Sequence, residues 1–436
     1  MLYKIFKFLI SNAIRFYYKE IRVENVKQLS HEGPLIIIAN HPNTLMDAWL
    51  LSVISPNKIY YLTKGTFFST PLKMWFLRSL GMIPVNRMVD GKTQGVENAH
   101  SFEECFKILE QSKTLVVFPE GNSVMERTLR PLKSGTARIA LEFLQRNPTV
   151  KNLKILPVGL YYSRGNQYTS SVLVKIGEKE SIDHYLPDYL ENNAGGARKL
   201  TNDFRIKLEN LLVISQSKDQ ELLVDDLFAI LHDNDEELTI EQRASIFKEL
   251  HETIHQTQEE NPSKIKEIHQ LVSNFQMKFN NLSIRSSLLS KGMGRGKNVR
   301  KLILSLFLFL LSFPVYFFGL VHNFIPFYTT HFLMQKLVKD VEYYAPIAIL
   351  LSIVMYPLNY LGIILLFDWF VDFSAVIHIF YVFLMPTTGV FAYKYAKAAK
   401  EFLVRFRYIV LLYNDKEAMK KLLADRESLK SFIQAK

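Results

Sequence analysis

The run Asn40-His41-Pro42-Asn43-Thr44-Leu45-Met46-Asp47 sets an imidazole and a carboxylate five intervening residues apart. A carboxylate that accepts the proton of one ring nitrogen fixes the tautomer of a histidine. The other nitrogen is then left to take a proton from an attacking hydroxyl. A base positioned in this way is worth about 10²- to 10⁴-fold in rate. The same residues also fit a purely structural description. Thr44-x-x-Asp47 matches the acidic form of a capping box, in which Asp47 only finishes a helix N-terminus. Residue types alone leave both open.

Four further blocks carry polar residues at the ends of apolar runs. Gly81-Met82-Ile83-Pro84-Val85-Asn86-Arg87 ends on a guanidinium, whose fork matches phosphate oxygens bidentately, although a surface arginine also fits. Phe118-Pro119-Glu120-Gly121-Asn122-Ser123 places a carboxylate in a turn, where it either meets a ligand or accepts backbone N–H groups. Leu132-Lys133-Ser134-Gly135-Thr136-Ala137-Arg138 leads into a helical pattern, and Leu156-Pro157-Val158-Gly159 lies in a strand pattern. Lys64, at the end of another apolar run, is a candidate anion-binding residue or a solvated lysine. Cys105 is far from any motif histidine and reads as a packed small residue rather than a nucleophile. His251, His255 and His269 read as solvated helix residues. No carboxylate cluster matches their spacing, so no metal site and no cofactor is expected.

Positioning these groups requires strands that end beside one another. Leu35 to Ala39, Lys58 to Leu62, Thr114 to Phe118, Lys154 to Leu160 and Val172 to Ile176 are short, apolar and rich in β-branched residues, and read as buried strands. Residues 45–55, 94–112, 134–146 and 197–214 read as helices between them. The alternation predicts an α/β fold with a central, mostly parallel or mixed sheet flanked by helices, and leaves the chemistry to loops at strand ends.

The rest of the chain divides by composition. Residues 1–20 carry apolar side chains at helical spacing and predict an amphipathic helix, lying in a membrane interface or packed on the neighbouring domain. Residues 21–215 hold the α/β pattern. Residues 216–290 read as a helical appendage, with helices at Ile240 to His255 and Ser263 to Phe279. Residues 301–395 predict two or three transmembrane segments, at 302–327, 345–367 and 374–394, and residues 396–436 a basic helical tail. Pro314 and Pro326 predict a broken, re-entrant first segment. Basic flanks on both sides of the apolar block predict an even number of crossings.

The net charge of +11 calls for an anionic partner, and apolar segments of this length make that partner a lipid bilayer. No zinc-finger spacing and no aromatics interleaved with a basic groove support nucleic-acid binding. A single cysteine excludes an intramolecular disulfide and places the soluble part in a reducing cytosol.

Taken in order, the blocks around His41, Arg87, Glu120, Lys133 and Pro157 resemble the lysophospholipid and glycerol-3-phosphate O-acyltransferase family, PlsC-like in its wording, over residues 30–180. The resemblance implies a fatty acyl transfer from acyl-CoA or acyl-ACP to a hydroxyl of glycerol 3-phosphate or 1-acylglycerol 3-phosphate. It implies His41 as base and Asp47 as its partner, and Arg87 on the acceptor phosphate. Glu120, Gly121, Asn43, Pro119 and Lys64 would be substrate-binding, and Pro157 would support the acyl pocket. The partners it implies are an acyl thioester, a phosphorylated glycerol and the bilayer, with the domain on the cytoplasmic face of a bacterial inner membrane or an endomembrane. The family's spacing between His and Asp is four residues, one fewer than here, as in a sub-branch that includes dihydroxyacetone-phosphate acyltransferases. On a continuous helix one added residue turns a side chain by about 100°, so a loop before the helix must absorb it. Dihydroxyacetone phosphate or another lysolipid is the alternative acceptor, and a non-enzymatic lipid-binding scaffold the alternative class.

Overall fold

The computed structural model describes residues 1–85, 96–150, 152–232, 238–282, 295–371 and 373–434. They form two compact units, Met1–Ser215 with Asp340–Ile349 and Gln216–Lys339 with Leu350–Lys436.

The first unit runs α1 (Leu2–Tyr17), β1 (Glu20–Glu24), β2 (Leu35–Ala39), α2 (Thr44–Ile54), β3 (Ile59–Lys64), α3 (Pro71–Ser79), β4 (Met82–Val85), α4 (Val96–Glu110) and β5 (Thr114–Val117). It continues with α5 (Gly135–Arg146), β6 (Lys154–Tyr162), β7 (Ser171–Ile176), β8 (Glu180–Ser181), α6 (Leu186–Glu191) and α7 (Asn193–Leu211). Eight strands make one sheet, ordered β1-β7-β6-β2-β5-β3-β4 with β8 against β6. The run β6-β2-β5-β3-β4 is parallel, and β7 and β8 lie antiparallel to β6. The sheet is therefore mixed, as the alternation of patterns predicts.

Strand β2, Leu-Ile-Ile-Ile-Ala, is buried at every position, which is the mark of a central parallel strand covered on both faces. Ile36 and Ile38 pack in one cluster with Phe106 of α4, Phe143 of α5 and Phe204 of α7. Successive side chains alternate across a sheet, so Leu35 and Ile37 face the opposite layer, where α1 and α2 lie. The chain leaves β2 toward β3 and leaves β5 in the other direction, toward β6. Between β2 and β5 the sheet thus has a topological switch point, where the carboxyl ends of parallel strands open a crevice.

Strands β1 and β8 and helix α3 have no counterpart among the sequence patterns. Strand β1 is five residues long with no fully buried position, and β8 has two residues. Helix α3 buries none of its side chains, so it carries no apolar stripe for a periodicity to detect.

The second unit is helical: α8 (Lys218–Leu231), α9 (Ile240–Glu260), α10 (Pro262–Leu282), α11 (Arg295–Leu337), most of α12 (Tyr344–Phe370), α13 (Ala375–Asn414) and α14 (Lys416–Gln434). Fully buried Arg426 of α14 donates from Nε to the carbonyl of Ile230 and from Nη2 to that of Leu231, at 3.0 and 3.1 Å. It satisfies the carbonyls left over at the end of α8. His251 differs from its reading as a solvated residue: it is buried on the inner face of α9, and its carbonyl accepts from Gln220. His255 is half-buried and His269 exposed, and no His, Cys, Asp or Glu cluster suited to a metal occurs among the described residues.

Among the described residues, three helices are long and apolar enough to cross a membrane: Leu302–Leu337, Val341–Phe370 and Ala375–Asn414. The re-entrant first segment is corrected. Helix α11 runs through both Pro314 and Pro326 without a break, because each proline removes one backbone bond and a helix of 43 residues keeps the rest. Its partner is α13. Gly319 lets the two backbones meet so closely that a Cβ there would lie 2.1 Å from the carbonyl oxygen of Thr388.

A polar cluster joins α11, α12 and α13. Asn323 donates to the carbonyls of Gly319 and Met385, and its Oδ1 accepts from the Tyr360 hydroxyl at 2.6 Å. His322 donates from Nδ1 to the carbonyl of Phe318 at 2.8 Å, and its Nε2 accepts from the Tyr381 hydroxyl. Asn359 donates to the His322 carbonyl at 2.9 Å.

Candidate active site

His41 and Asp47 meet at the carboxyl end of β2. The chain turns at Pro42 and Asn43 and enters α2, whose first turn carries Asp47. Nδ1 of His41 lies 2.9 Å from Oδ2 of Asp47. A carboxylate only accepts, so Nδ1 carries the proton and Nε2 presents a lone pair. No hydrogen bond engages Nε2 among the described residues. The Asp47 side chain is wholly buried, while 16 % of the His41 side chain meets solvent. The imidazole stacks on Phe118, ring centres 4.0 Å apart and 9° from parallel. One nitrogen is therefore anchored, the ring plane is held, and the side chain keeps some contact with solvent.

Asp47 also accepts the Asn43 N–H on Oδ2 at 2.7 Å and the Tyr162 hydroxyl on Oδ1 at 2.7 Å. The capping box expected from Thr44 and Asp47 is not formed: Asn43 precedes the helix without a side-chain cap bond, and the Thr44 N–H goes to Ser123, while one Asp47 oxygen holds the Asn43 N–H and the ring together. Burial, reinforced by the Asp47 carboxylate beside it, pushes the Tyr162 hydroxyl well above its ordinary range. It stays protonated and donates. Tyr18, likewise raised by burial first and then by Tyr17 and Asp47, lies 3.3 Å from the Asn43 amide nitrogen.

The added residue between His and Asp is absorbed before the helix settles. Asn43, with φ −142° and ψ 42°, lies in neither the helical nor the extended region. Thr44 takes φ +42°, the left-handed region that a β-branched residue rarely enters. Such a residue costs of order 1–3 kcal/mol and persists only when its surroundings hold it. Here the Thr44 N–H donates to Ser123 Oγ at 2.9 Å and its hydroxyl to the carbonyl of Glu342 at 2.9 Å.

Glu120, at the end of the neighbouring β5, accepts the His41 N–H on Oε1 at 2.8 Å and the Arg130 N–H on Oε2 at 3.3 Å. Burial raises its carboxyl, against the pull of those two N–H groups and of the nearby His41 and Arg130 charges. The structural description of Glu120 is the one the geometry bears out. Both oxygens hold backbone, and in doing so they hold the histidine. Asn43 is fully buried, with its amide on the Gly165 carbonyl at 3.0 Å, and Pro119 is buried with its carbonyl on the Lys133 N–H. Asn43, Pro119 and Glu120 thus all make contacts inside the protein, while the buried Asn43 Oδ1 has no hydrogen-bond partner among the described residues.

Gly121 turns the chain with φ +74° and carries the Lys133 side chain against it, so that a Cβ there would sit 2.7 Å from Nζ. Lys133 is exposed. Its ammonium stands on the turn that follows Phe118. Lys64 ends β3 on the same edge of the sheet, two strands from β2 and so about 10 Å away. Arg87, read as the phosphate-binding residue, lies outside the described residues. Pro157 is in β6, paired with Ile38 of β2.

The N–H groups of Asn43 and Thr44 are committed to Asp47 and Ser123, so these two donors at the start of α2 are not free to hold an oxyanion. Cys105 is fully buried, and burial pushes its thiol up to about 12, an inert packed residue. Sequence reasoning missed Tyr162, Tyr18 and Ser123. Each lies remote in sequence or in a motif's tail, and only the sheet brings it to Asp47 and its turn.

Three comparisons bear on this site. Residues 20–161 match the family model described as Acyltransferase. Over 88 residues the chain is 32 % identical to glycerol-3-phosphate O-acyltransferase 2 of Saccharomyces cerevisiae, covering 20 % of this chain and 12 % of that protein. Over 135 residues it is 26 % identical to glycerol-3-phosphate O-acyltransferase 1 of the same yeast, covering 30 % and 18 %. The chain thus spans less than a fifth of the length of these curated relatives. Among solved structures it is similar to the 1-acyl-sn-glycerophosphate acyltransferase PlsC of Thermotoga maritima, with 19 % identity, a TM-score of 0.33, and 45 % of this chain and 79 % of that one covered.

Proposed function

We infer that this chain, a member of the glycerolipid acyltransferase family through residues 20–161, acylates a hydroxyl of glycerol 3-phosphate or 1-acylglycerol 3-phosphate. The observation that carries the reading is the His41–Asp47 pair at 2.9 Å at the carboxyl end of β2, with no hydrogen bond on Nε2 among the described residues.

In this mechanism Nε2 takes the proton of the acceptor hydroxyl as its oxygen bonds to the thioester carbonyl carbon. The tetrahedral oxyanion collapses, the carbon–sulfur bond breaks, and the thiolate leaves with the proton returned by the imidazolium. Products are an ester and a free thiol. A thioester is already activated, so no covalent enzyme intermediate is required. The Asp47 carboxylate steadies the imidazolium while it exists, and the Tyr162 hydroxyl and Asn43 N–H keep that carboxylate in line.

Lys133 and Lys64 offer positive charge on the same edge for the acceptor's phosphate or for an acidic thioester carrier. The three apolar helices support a bilayer location for an enzyme whose donor and product both prefer lipid, since each buried methylene is worth about 0.8 kcal/mol. We place the site on the cytoplasmic face, a side with which a free, buried Cys105 is compatible.

The test uses the full chain purified and reconstituted in vesicles. Glycerol 3-phosphate, 1-acylglycerol 3-phosphate and dihydroxyacetone phosphate are offered side by side, each with acyl-CoA and with acyl-ACP. Acylation of either of the first two, abolished by His41→Ala, is the expected result. Activity that survives His41→Ala sinks the mechanism, and acylation of dihydroxyacetone phosphate alone overturns the acceptor.

A further inference from the structure

The α/β unit shows solvent an apolar surface that its own packing leaves uncovered. Helix α3 buries no side chain, yet its sequence is Pro-Leu-Lys-Met-Trp-Phe-Leu-Arg-Ser. Leu72 is 73 % exposed and Trp75 62 %. Helix α1 lies beside it: the Phe6 ring meets both Trp49 of α2 and Phe76 of α3 edge-on, with centres 6.2 and 6.1 Å apart. One face of α1 turns Ile10, Ile14 and Tyr17 inward. The other leaves Ile5, Phe8, Leu9 and Phe16 in solvent, Phe8 at 67 %. Phe67, just before α3, is exposed as well. Scattered apolar residues need no explanation, but two adjacent helices presenting large apolar side chains do.

The charge around this surface is one-sided. Neither Met1–Tyr18 nor Lys64–Ser79 contains an aspartate or glutamate, while the two segments hold Lys4, Lys7, Arg15, Lys64, Lys73 and Arg78. Arg78 is paired with Glu104 at 2.7 Å and Lys7 donates to the Ser55 carbonyl at 2.8 Å. Lys4, Arg15 and Lys73 stay exposed among the apolar side chains. Apolar and aromatic side chains on a helix flanked only by cations are what lipid headgroups and the upper acyl chains receive, with tryptophan at the boundary between the two. A groove for a peptide would be concave and would carry polar groups of both signs. These are two convex helices whose own charged residues are all cations, and among the described residues the chain carries three helices long and apolar enough to enter a bilayer.

We propose that α1 and α3 together form a docking surface by which the α/β unit rests on an anionic phospholipid bilayer, with Phe8, Leu72 and Trp75 entering the headgroup and upper acyl region. Lys4, Arg15 and Lys73 meet the lipid phosphates. Helix α3 is the part of this surface that periodicity in the sequence does not reveal.

The experiment is site-directed spin labelling of the full-length protein in vesicles of equimolar phosphatidylcholine and phosphatidylglycerol. With Cys105→Ala removing the buried thiol, single variants Phe8→Cys, Leu72→Cys and Trp75→Cys are labelled, with Arg198→Cys on exposed α7 as the aqueous control. Relaxation by oxygen is compared with relaxation by a water-soluble nickel chelate. The expected result is strong oxygen and weak nickel access at positions 8, 72 and 75, at depths of about 5–10 Å, against the reverse at 198. Pure phosphatidylcholine vesicles should shift all three labels toward water. Nickel access at 72 and 75 equal to that at 198 overturns the proposal. So does shielding from both reagents, which means that protein covers the surface. Neither readout depends on catalysis, so a failed acyl-transfer reading and a failed docking surface are told apart.

Discussion

Two histidines in this molecule, His41 in the α/β unit and His322 in the helical unit, have nearly the same immediate surroundings. Each stacks on a phenylalanine at 4.0 Å, Phe118 and Phe318, and each spends Nδ1 as a donor. They differ at the other nitrogen. Nε2 of His322 accepts from the Tyr381 hydroxyl, so that imidazole has no capacity left. Nε2 of His41 has no such partner among the described residues, and the Nδ1 of His41 meets a carboxylate where that of His322 meets a carbonyl. A closed hydrogen-bond set makes a histidine a joint between helices. One open nitrogen opposite an anchoring anion makes it a base.

The largest effect that separates the two is His41→Ala, which should cut the acyl-transfer rate by about 10²- to 10⁴-fold with the fold intact by circular dichroism. The counterpart His322→Ala should leave the rate of the folded protein unchanged and lower its melting temperature in detergent. If both variants lose activity alike, the contrast between base and joint is wrong.

Gly319→Ala comes next, on the structural side. Its Cβ has a backbone carbonyl oxygen at 2.1 Å, so α11 and α13 must part, at a cost of about 1–3 kcal/mol in detergent denaturation. Catalysis per folded molecule should not change.

Tyr162→Phe sharpens the α/β side. It removes one of the donors that hold the Asp47 carboxylate, and a bond to a charged group is worth roughly 1.5–3 kcal/mol. If about half of that is felt in the transition state, kcat falls about three- to tenfold while KM for the acceptor stays near the parent value. A change confined to KM would show that Tyr162 acts on the substrate instead. Tyr360→Phe is the smallest expected change. It frees Asn323 Oδ1 within the helical unit and should lower stability by about 0.6 kcal/mol, the average for such bonds between membrane helices.

Much of the α/β unit is legible in the sequence because buried parallel strands and amphipathic helices leave strong periodic marks. Leu35–Ala39 and Gly135–Arg146 are plain in this sense. Strand β1, with no fully buried residue, and α3, with no inner face, leave none. Pro314 and Pro326 mislead for a related reason: proline breaks a helix when water competes for the freed carbonyls, and in α11 the chain around it is apolar. His251 looks solvated in a charged helix, yet a three-helix packing buries it.

For the site, the residue types of His41, Asp47 and Glu120 and their order along the chain are properties of the sequence, and they carry the resemblance to an acyltransferase family. Tertiary structure alone decides that five intervening residues still bring Asp47 to Nδ1, because the strained φ at Thr44 is held by Ser123 and by Glu342, residues far along the chain. It also decides that Glu120 holds backbone and that Tyr162 serves Asp47. Local pattern records what a segment can do. Which hydrogen bonds form at a strand end depends on strands distant in sequence that only the folded sheet sets side by side.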